Sequence, residues 1–258
     1  MPPDPAEIFA QIAQPGDIVA IVGAGGKTTT MLALAQALAA RGLRVVTTKS
    51  TRIHKPTMAR SPFVWEGPRD TWAQDLPALL RDHPVITVVQ NIGAEHGWDG
   101  IAPEQATELR DVSGADVLIV EADGARGRML KAPDAHEPSM PSEATVVMPV
   151  ASLQAVGRTL DARTVHRPEV AAEILHIPEG TIIEPALIAM LLASPLAGMK
   201  SVPPGARVWP VITRTDLPPR GAAGLTIVPT LREIPRAQGW AWAEAVEGEW
   251  HYGAEAFE

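Results

Sequence analysis

Residues 17–30 read DIVAIVGAGGKTTT, an apolar run that ends in a glycine-rich turn and a Lys-Thr-Thr before a long helical pattern. Gly23, Gly25 and Gly26 lack a β-carbon, so the backbone can bend tightly there and direct several N–H groups at phosphate oxygens. The following helix adds the positive end of its dipole. The stretch therefore predicts a strand, a phosphate-binding loop and a helix, the arrangement that holds a nucleoside triphosphate.

The Lys-Thr pair at the end of this loop has distinct expected roles. Lys27 is expected to reach the β- and γ-phosphates and to act in catalysis, and Thr28 to bind a magnesium ion that bridges them. A full Walker A motif has a glycine six residues before the lysine, where this chain has Ile21, so the loop is a shortened form similar to that of the Mur ligases. The alternative is an ordinary strand-to-helix turn. The residues expected to bind the phosphates are Gly23, Ala24, Gly25, Gly26, Lys27, Thr28 and Thr29.

Composition limits the function classes. The chain has 258 residues, of which 46% are hydrophobic, and a net charge of −8. The negative charge argues against nonspecific nucleic-acid binding, which needs a basic surface. The chain has no cysteine, which excludes disulfides and thiolate sites and fits a cytoplasmic protein. The longest apolar stretch, 186–199, is too short to span a bilayer, so we expect no membrane partner.

Short β-branched runs alternate with helical patterns along the chain. This alternation predicts an α/β fold, a mostly parallel sheet with helices on both faces, like that of P-loop NTPases. We expect one domain, with a nucleotide-binding core over residues 1–150, a helical segment over 151–200, and closing strands with a small C-terminal β hairpin over 201–258.

The hairpin is indicated by tryptophans that alternate with smaller residues around Glu247-Gly248. The run 225–228, Leu-Thr-Ile-Val, favours a closing strand because it is rich in β-branched residues. The predicted strands cover 17–22, 43–48, 85–90, 116–120, 144–149, 207–212 and 225–228, and the predicted helices cover 28–41, 71–82, 103–112, 168–176 and 184–193.

Two carboxylates stand at the end of a buried strand in residues 117–126, VLIVEADGAR. Ligands of open α/β sheets bind at that edge. Glu121 and Asp123 are two residues apart, so they can share one face, hold magnesium directly or through water, and orient an attacking water. The alternative is that one carboxylate caps the turn and the other pairs with Arg126 or Arg128.

Residues 47–56, TTKSTRIHKP, follow the strand that should lie beside the first. Hydroxyls and bases at that strand end, among them Thr48, can sense the γ-phosphate or its magnesium, as switch threonines do. They can equally be turn residues that make local backbone hydrogen bonds.

The segment 211–218, VITRTDLP, lies where a guanine-reading NKxD motif would follow a late strand. Thr213 and Arg214 replace the asparagine and lysine of that motif, and Asp216 keeps its place. Asp216 can still accept hydrogen bonds from guanine, so both ATP and GTP remain open. The alternative is a polar turn that ends at two prolines.

Four segments together resemble the YqeC family of selenium-dependent molybdenum hydroxylase accessory proteins: the phosphate loop, TTKSTRI, EADGARGRMLKAPDAHEPSMP (121–141) and VHRPE (165–169). The resemblance runs from about residue 17 to residue 216. It implies a P-loop nucleotide-binding protein that helps mature molybdenum-containing hydroxylases by inserting or modifying their cofactor. Besides the phosphate loop, it marks Glu121, Asp123, Lys131, His136, Glu137, His166 and Arg167.

The long loop 124–142 is expected to be functional, since long loops in compact domains seldom lack a role. Its Arg126, Arg128 and Lys131 can receive an anionic partner such as a pterin phosphate or a second nucleotide. His136 and Glu137 can bind a metal or carry a proton, or they can be structural.

His166 and Arg167 precede Pro168, which is suited to the first position of a helix. These two residues can bind an anion at the start of the helix, or they can simply cap the helix.

Three functions remain open. The first is a maturation factor that uses magnesium with ATP or GTP to act on a molybdenum cofactor or a hydroxylase client. The second is a kinase-like or Mur-ligase-like enzyme that uses ATP to activate a small anionic metabolite. The third is a binding protein for which the nucleotide is only a structural ligand.

Overall fold

The computed structural model describes residues 4–53, 60–91, 98–216, 220–247 and 249–257. The helices are α1 Pro5–Ala10, α2 Lys27–Ala40, α3 Trp72–Asp82, α4 Ala106–Ser113, α5 Pro168–Leu175, α6 Pro185–Ala193 and α7 Arg220–Arg232. The strands are β1 Ile18–Gly23, β2 Val45–Lys49, β3 Arg52–Ile53, β4 Val64–Glu66, β5 Val85–Asn91, β6 Trp98–Asp99, β7 Val117–Glu121, β8 Leu130–Lys131, β9 Val146–Ser152, β10 Val165–His166, β11 Arg207–Val208, β12 Val211–Thr213, β13 Gly239–Val246 and β14 Glu249–Ala256.

One large sheet organises the chain, in the order β14–β13–β12–β9–β1–β7–β2–β5–β6–β3, with β11 beside β9 and β4 beside β5. Strand β1 lies between β9 and β7 and is parallel to both. Within the described residues, the antiparallel pairs are β13 with β14 and β6 with its two neighbours. The mostly parallel sheet is therefore confirmed. Its central strands end at one edge, directly beside the loop that follows β1.

Alternate residues of β1 enter two different apolar cores, which places helices on both faces of the sheet. Val19 and Ile21 pack with Leu34 of α2. Ile18 and Ala20 pack on the opposite face with side chains from α3 and α4. A central parallel strand is buried on both faces, which explains why β1 reads as an unbroken apolar run rather than an alternating one.

The C-terminal β hairpin is also confirmed. Strands β13 and β14 pair antiparallel from Gly239 with Ala256 to Val246 with Glu249. Strand β13 is in turn parallel to β12, so the hairpin extends the main sheet. The turn residue Gly248 lies outside the described residues.

The strand predicted over 225–228 is wrong, because those residues lie within α7. Ile227 and Leu231 are both buried, and their spacing of four residues places them on one helix face. A short apolar run does not by itself distinguish a strand from a buried helix segment.

The strand predicted over 207–212 is broken in two, since β11 ends before Trp209 and Pro210 and β12 begins after them. The N–H of Trp209 still donates to the carbonyl oxygen of Val147 on β9 at 2.9 Å. Pro149 of β9 and Pro210 have no backbone N–H to donate, so the regular ladder is interrupted between β11 and β12. None of the helices within the described ranges is long and apolar enough to cross a membrane.

Candidate functional site

The loop after β1 has a shape that requires glycine. Gly23 and Gly25 have φ angles of 87° and 80°. A β-carbon on Gly23 would lie 2.3 Å from the carbonyl oxygen of Val150, and one on Gly25 would lie 2.5 Å from the β-carbon of Ser152. Ala24 is fully buried and donates its backbone N–H to the same Val150 oxygen at 2.9 Å. The loop is therefore held tightly against the end of β9.

Lys27, the first residue of α2, bends back over this loop. Its side chain is buried, and Nζ donates to the carbonyl oxygen of Gly23 at 2.7 Å and lies 3.9 Å from Glu121 Oε1. Burial lowers the pKa of Lys27 below its ordinary value, while the charges of Glu121 and Asp123 act to raise it. A phosphate oxygen would be a stronger acceptor for this ammonium than a neutral carbonyl. Lys27 is thus placed to exchange its carbonyl partner for a phosphate.

Thr28, Glu121 and Lys49 form a compact group at the carboxyl ends of β7 and β2. Thr28 Oγ1 donates to Glu121 Oε2 at 2.6 Å, and Lys49 Nζ lies 2.8 Å from that oxygen and 3.0 Å from Thr28 Oγ1. The group forms because Lys49 and Glu121 are register partners in adjacent parallel strands. A hydroxyl and a carboxylate side by side are two oxygen ligands that suit Mg²⁺.

The described residues contain no cluster of three or more His, Asp or Glu side chains able to hold a metal by themselves. Mg²⁺ is usually bound through one or two carboxylates together with the substrate's phosphates and several waters. The donor set of Thr28 and Glu121 fits an ion that arrives with a nucleotide.

The structure corrects the expectation for Thr48, whose side chain is fully buried with its hydroxyl donating to the carbonyl oxygen of Val88 at 2.8 Å. Successive residues of a strand point to opposite faces, so Lys49 is the residue that reaches the site. Lys49 was not selected from the sequence. The alternation of side chains between the two faces of residues 45–49 could have identified it, because it places Lys49 opposite Thr48. The rest of that motif, residues 54–56, lies outside the described residues.

Asp123 does not share a site with Glu121. Strand β7 ends at Glu121, so the spacing rule that places alternate strand residues on one face no longer applies two residues later. Asp123 is buried, accepts the backbone N–H of Gly23 at 3.2 Å, and pairs with Lys131 Nζ. Asp123 therefore holds the Gly23 end of the loop and is itself paired with Lys131.

Lys131, on β8, is the centre of a buried ion cluster. Its side chain has no exposed surface, and Nζ contacts Asp123, lies 2.8 Å from Glu137 Oε2 and donates to the carbonyl oxygen of Gly124 at 2.6 Å. Arg167 extends the cluster, with Nη1 2.6 Å from Glu137 Oε2. Three residues expected to bind substrate are therefore paired within the protein, since Lys131 and Arg167 both contact the Glu137 carboxylate.

The two histidines expected in this region lie at its margin. His136 is exposed in the turn before Glu137, and His166 is half-buried on β10, in register with Lys131. Partial burial, together with the positive charges of Arg167 and Lys131, lowers the pKa of His166. A neutral His166 at neutral pH is the consequence.

The Glu137 carboxylate gives the cluster a pH dependence that can be measured. Burial acts to raise its pKa, but hydrogen bonds from Lys131 and Arg167 hold the pKa at about 2, below its ordinary value of 4.5. A carboxylate with a lowered folded-state pKa contributes stability that is present above its unfolded-state pKa and lost as pH falls toward the folded-state one. We therefore expect the free energy of unfolding to fall between pH 4.5 and pH 2.

Urea denaturation at a series of pH values tests this expectation with Glu137→Gln, which should show a shallower loss over that window. Glu143→Gln is the matched control, because Glu143 is exposed. An identical pH profile for Glu137→Gln and the parent would remove Glu137 from the acid sensitivity.

A cavity of about 660 Å³ opens beside the phosphate loop. Of the residues expected to bind phosphates, Gly25, Gly26, Lys27, Thr28 and Thr29 line it, together with Glu121, Arg126 and Arg128. Part of Arg128 is already occupied, since Nε donates to the carbonyl oxygen of Ala162. The cavity also has lining residues that sequence reasoning did not select: Lys49, Arg52, Ser152, Thr213, Arg214, Trp250 and Tyr252.

Asp216 does not line this cavity. Its Oδ1 accepts from Arg214 Nε at 3.2 Å and from the backbone N–H of Ala245 at 3.2 Å, and its Oδ2 accepts from Arg214 Nη2 at 3.3 Å. The structure therefore uses both carboxylate oxygens of Asp216 internally. Residues 217 and 218 of the same motif lie outside the described residues.

The phosphate loop from Val19 onward, Glu121 and the 121–141 segment all lie within the part of the chain that matches a protein family. The family model described as "YqeC protein" matches residues 19–169. The uncharacterized protein YqeC of Escherichia coli (strain K12) is 34% identical over 194 residues, which are 74% of this chain and 74% of that protein. The chain belongs to the YqeC family. This confirms the resemblance carried by the phosphate loop and the EADGAR segment.

Among solved structures, this YqeC-family chain is remotely similar to chloroplast FtsY from Physcomitrella patens. That comparison gives 14% identity and a TM-score of 0.49, covering 98% of this chain and 70% of FtsY. Another similar structure is the 54 kDa signal recognition particle protein from Aeropyrum pernix K1 in complex with GDP. It is 18% identical with a TM-score of 0.43, covering 96% of this chain and 47% of that protein.

Proposed function

We propose that this YqeC-family chain binds ATP or GTP with Mg²⁺ in the cavity beside β1 and hydrolyses the nucleotide or transfers its γ-phosphoryl group. One observation carries the proposal. One cavity is lined by a loop whose backbone requires glycine, by the buried lysine at the start of α2, and by a paired hydroxyl and carboxylate. Each of these parts has a matching role in phosphate binding.

The residues divide the work as follows. The N–H groups of Gly23 and Ala24 are bonded to Asp123 and to the Val150 carbonyl oxygen, so the loop amides from Gly25 onward bind the phosphates. Lys27 binds them too, and its Nζ leaves the Gly23 carbonyl oxygen to do so. Thr28 and Glu121 would hold Mg²⁺, which would neutralise phosphate charge. Lys49, which contacts both of those side chains, adds a second positive charge beside Lys27. Asp123 positions the loop through the Gly23 N–H and does not touch the reacting groups.

Replacing Glu121 with glutamine tests the magnesium assignment. In the parent, Mg²⁺ is expected to strengthen triphosphate binding, because the ion joins the protein carboxylate to the phosphates. Glu121→Gln should reduce that gain by about fivefold or more, since an amide oxygen carries no charge. Calorimetric titration of the nucleotide with and without Mg²⁺ measures the effect.

Glu143→Gln serves again as the control, because it makes the same chemical change at an exposed position. If Mg²⁺ strengthens binding equally in Glu121→Gln and in the control, Glu121 does not hold the ion.

We further propose that nucleotide turnover serves the maturation of molybdenum-containing hydroxylases in the cytoplasm, including selenium-dependent ones. The motif resemblance of residues 121–141 and 165–169 to the molybdenum hydroxylase accessory proteins implies this role, and the Arg126 and Arg128 side chains that line the cavity suit an anionic cofactor. The absence of cysteine supports the location.

A deletion strain tests the proposal when it is complemented with the parent gene or with Lys27→Ala. The parent should restore both the activity and the molybdenum content of a hydroxylase, and the variant should restore neither. Full restoration by Lys27→Ala would contradict a nucleotide-dependent maturation role.

A further inference from the structure

One wall of the cavity beside the phosphate loop is aromatic, and the proposed phosphate binding does not involve it. Trp250 and Tyr252, both on β14, line it together with residues of the loop. Tyr252 is fixed by stacking on Phe9 of α1, with ring centroids 5.2 Å apart. Trp250 lies 6.5 Å from Tyr252 and is only half-buried. An aromatic ring held in place yet accessible from the cavity is suited to stacking on a planar ligand.

Arg214 completes this wall from the end of β12. Its guanidinium lies over the Trp250 ring, 5.8 Å from the centroid, and Arg214 itself lines the cavity. The preceding residue, Thr213, donates its hydroxyl to the carbonyl oxygen of Gly25 at 2.5 Å. The backbone that carries Arg214 is therefore attached to the phosphate loop through Thr213.

Asp216, the carboxylate that could bind guanine, already accepts hydrogen bonds from other groups of the protein. Recognition of guanine by a carboxylate needs both oxygens to accept N–H groups from the edge of the base. In this chain Arg214 occupies both oxygens of Asp216, and the Ala245 N–H shares one of them. The described wall thus offers a planar surface for a base, while Asp216, which does not line the cavity, has other partners.

We propose that the Arg214–Trp250 pair is a nucleobase platform that holds the base by stacking, so that the site takes adenine and guanine nucleotides with similar affinity. This inference rests on the proposed nucleotide binding and adds to it the part of the nucleotide beyond the phosphates. Stacking on an aromatic side chain tolerates every base, because each base has a π-face. Discrimination requires hydrogen bonds to the base edge.

The experiment compares three ligands by calorimetry with Mg²⁺: ATP, GTP and inorganic tripolyphosphate, which has no base. The parent should bind ATP and GTP with affinities within about threefold of each other. Trp250→Ala should weaken both by the same factor, about 5- to 100-fold, and leave tripolyphosphate binding unchanged. Trp250→Phe should keep most of the affinity, because it keeps an aromatic ring.

Trp242→Ala is the matched control, since Trp242 lies on the same hairpin and packs against Trp240 with tilted rings, outside the cavity lining. Affinities for ATP and GTP that differ by more than about tenfold in the parent would overturn the inference, and so would an unchanged affinity in Trp250→Ala. If the parent binds neither nucleotide nor tripolyphosphate, the proposed function itself fails. If it binds tripolyphosphate as well as it binds ATP, only the platform fails.

Discussion

Replacing Lys27 with alanine is expected to weaken triphosphate binding by well over tenfold, which is more than about 1.4 kcal/mol. Lys27 Nζ already lies within the loop, on the Gly23 carbonyl oxygen, so it needs no long rearrangement to meet a phosphate. A charge-assisted bond formed in a buried site contributes more than one formed in water. Calorimetric titration with ATP and with GTP measures the loss.

The fold of Lys27→Ala should remain intact, because Glu121, its partner at 3.9 Å, keeps Lys49 at 2.8 Å and is not left unpaired. Arg81→Ala is the matched control: it removes a positive charge from an exposed side chain that donates to the carbonyl oxygen of Pro77 in its own helix, away from the cavity. Equal affinity in Lys27→Ala and in the parent would contradict the proposed nucleotide site.

Replacing Lys131 with methionine is expected to lower the free energy of unfolding by about 3–5 kcal/mol. The side chain of Lys131 has no exposed surface, and Asp123 and Glu137 both direct carboxylate oxygens at its ammonium. Methionine keeps much of the apolar volume but leaves those two charges without their shared partner. Breaking a buried ion pair from one side is costly because the remaining charge stays desolvated.

Urea denaturation at neutral pH measures this loss. Arg163→Ala is the comparison, since Arg163 pairs with Asp161 while its own side chain is 89% exposed, and a surface pair contributes little. If Lys131→Met unfolds at the same urea concentration as Arg163→Ala, the cluster does not stabilise the fold.

The phosphate loop and the parallel sheet were predictable because their signals are local. An unbroken apolar run, followed by glycines and Lys27, constrains the backbone within about ten residues. The strand predicted over 225–228 was wrong because β-branched residues are also compatible with a buried helix. Only the packing of Ile227 and Leu231 against distant residues decides between a strand and a helix there.

The site was predicted less completely than the fold. Glu121 was recognised from its position at a strand end, but Asp123 lies past that end, where no periodicity applies. Trp250 and Tyr252 are separated from the phosphate loop by more than two hundred residues. Only the strand order, which places β14 at the edge of the sheet beside α1, brings them to the cavity.

Gly23 has a double attachment that links the two halves of the site. Its carbonyl oxygen accepts from Lys27, and its N–H donates to Asp123, which also contacts Lys131. A ligand that binds Lys27 therefore removes one of two hydrogen bonds at Gly23, and the other joins Gly23 to the buried ion cluster. Because energetic coupling between two sites is reciprocal, we expect a disturbance of the Asp123–Lys131 pair to change the affinity for phosphates as well.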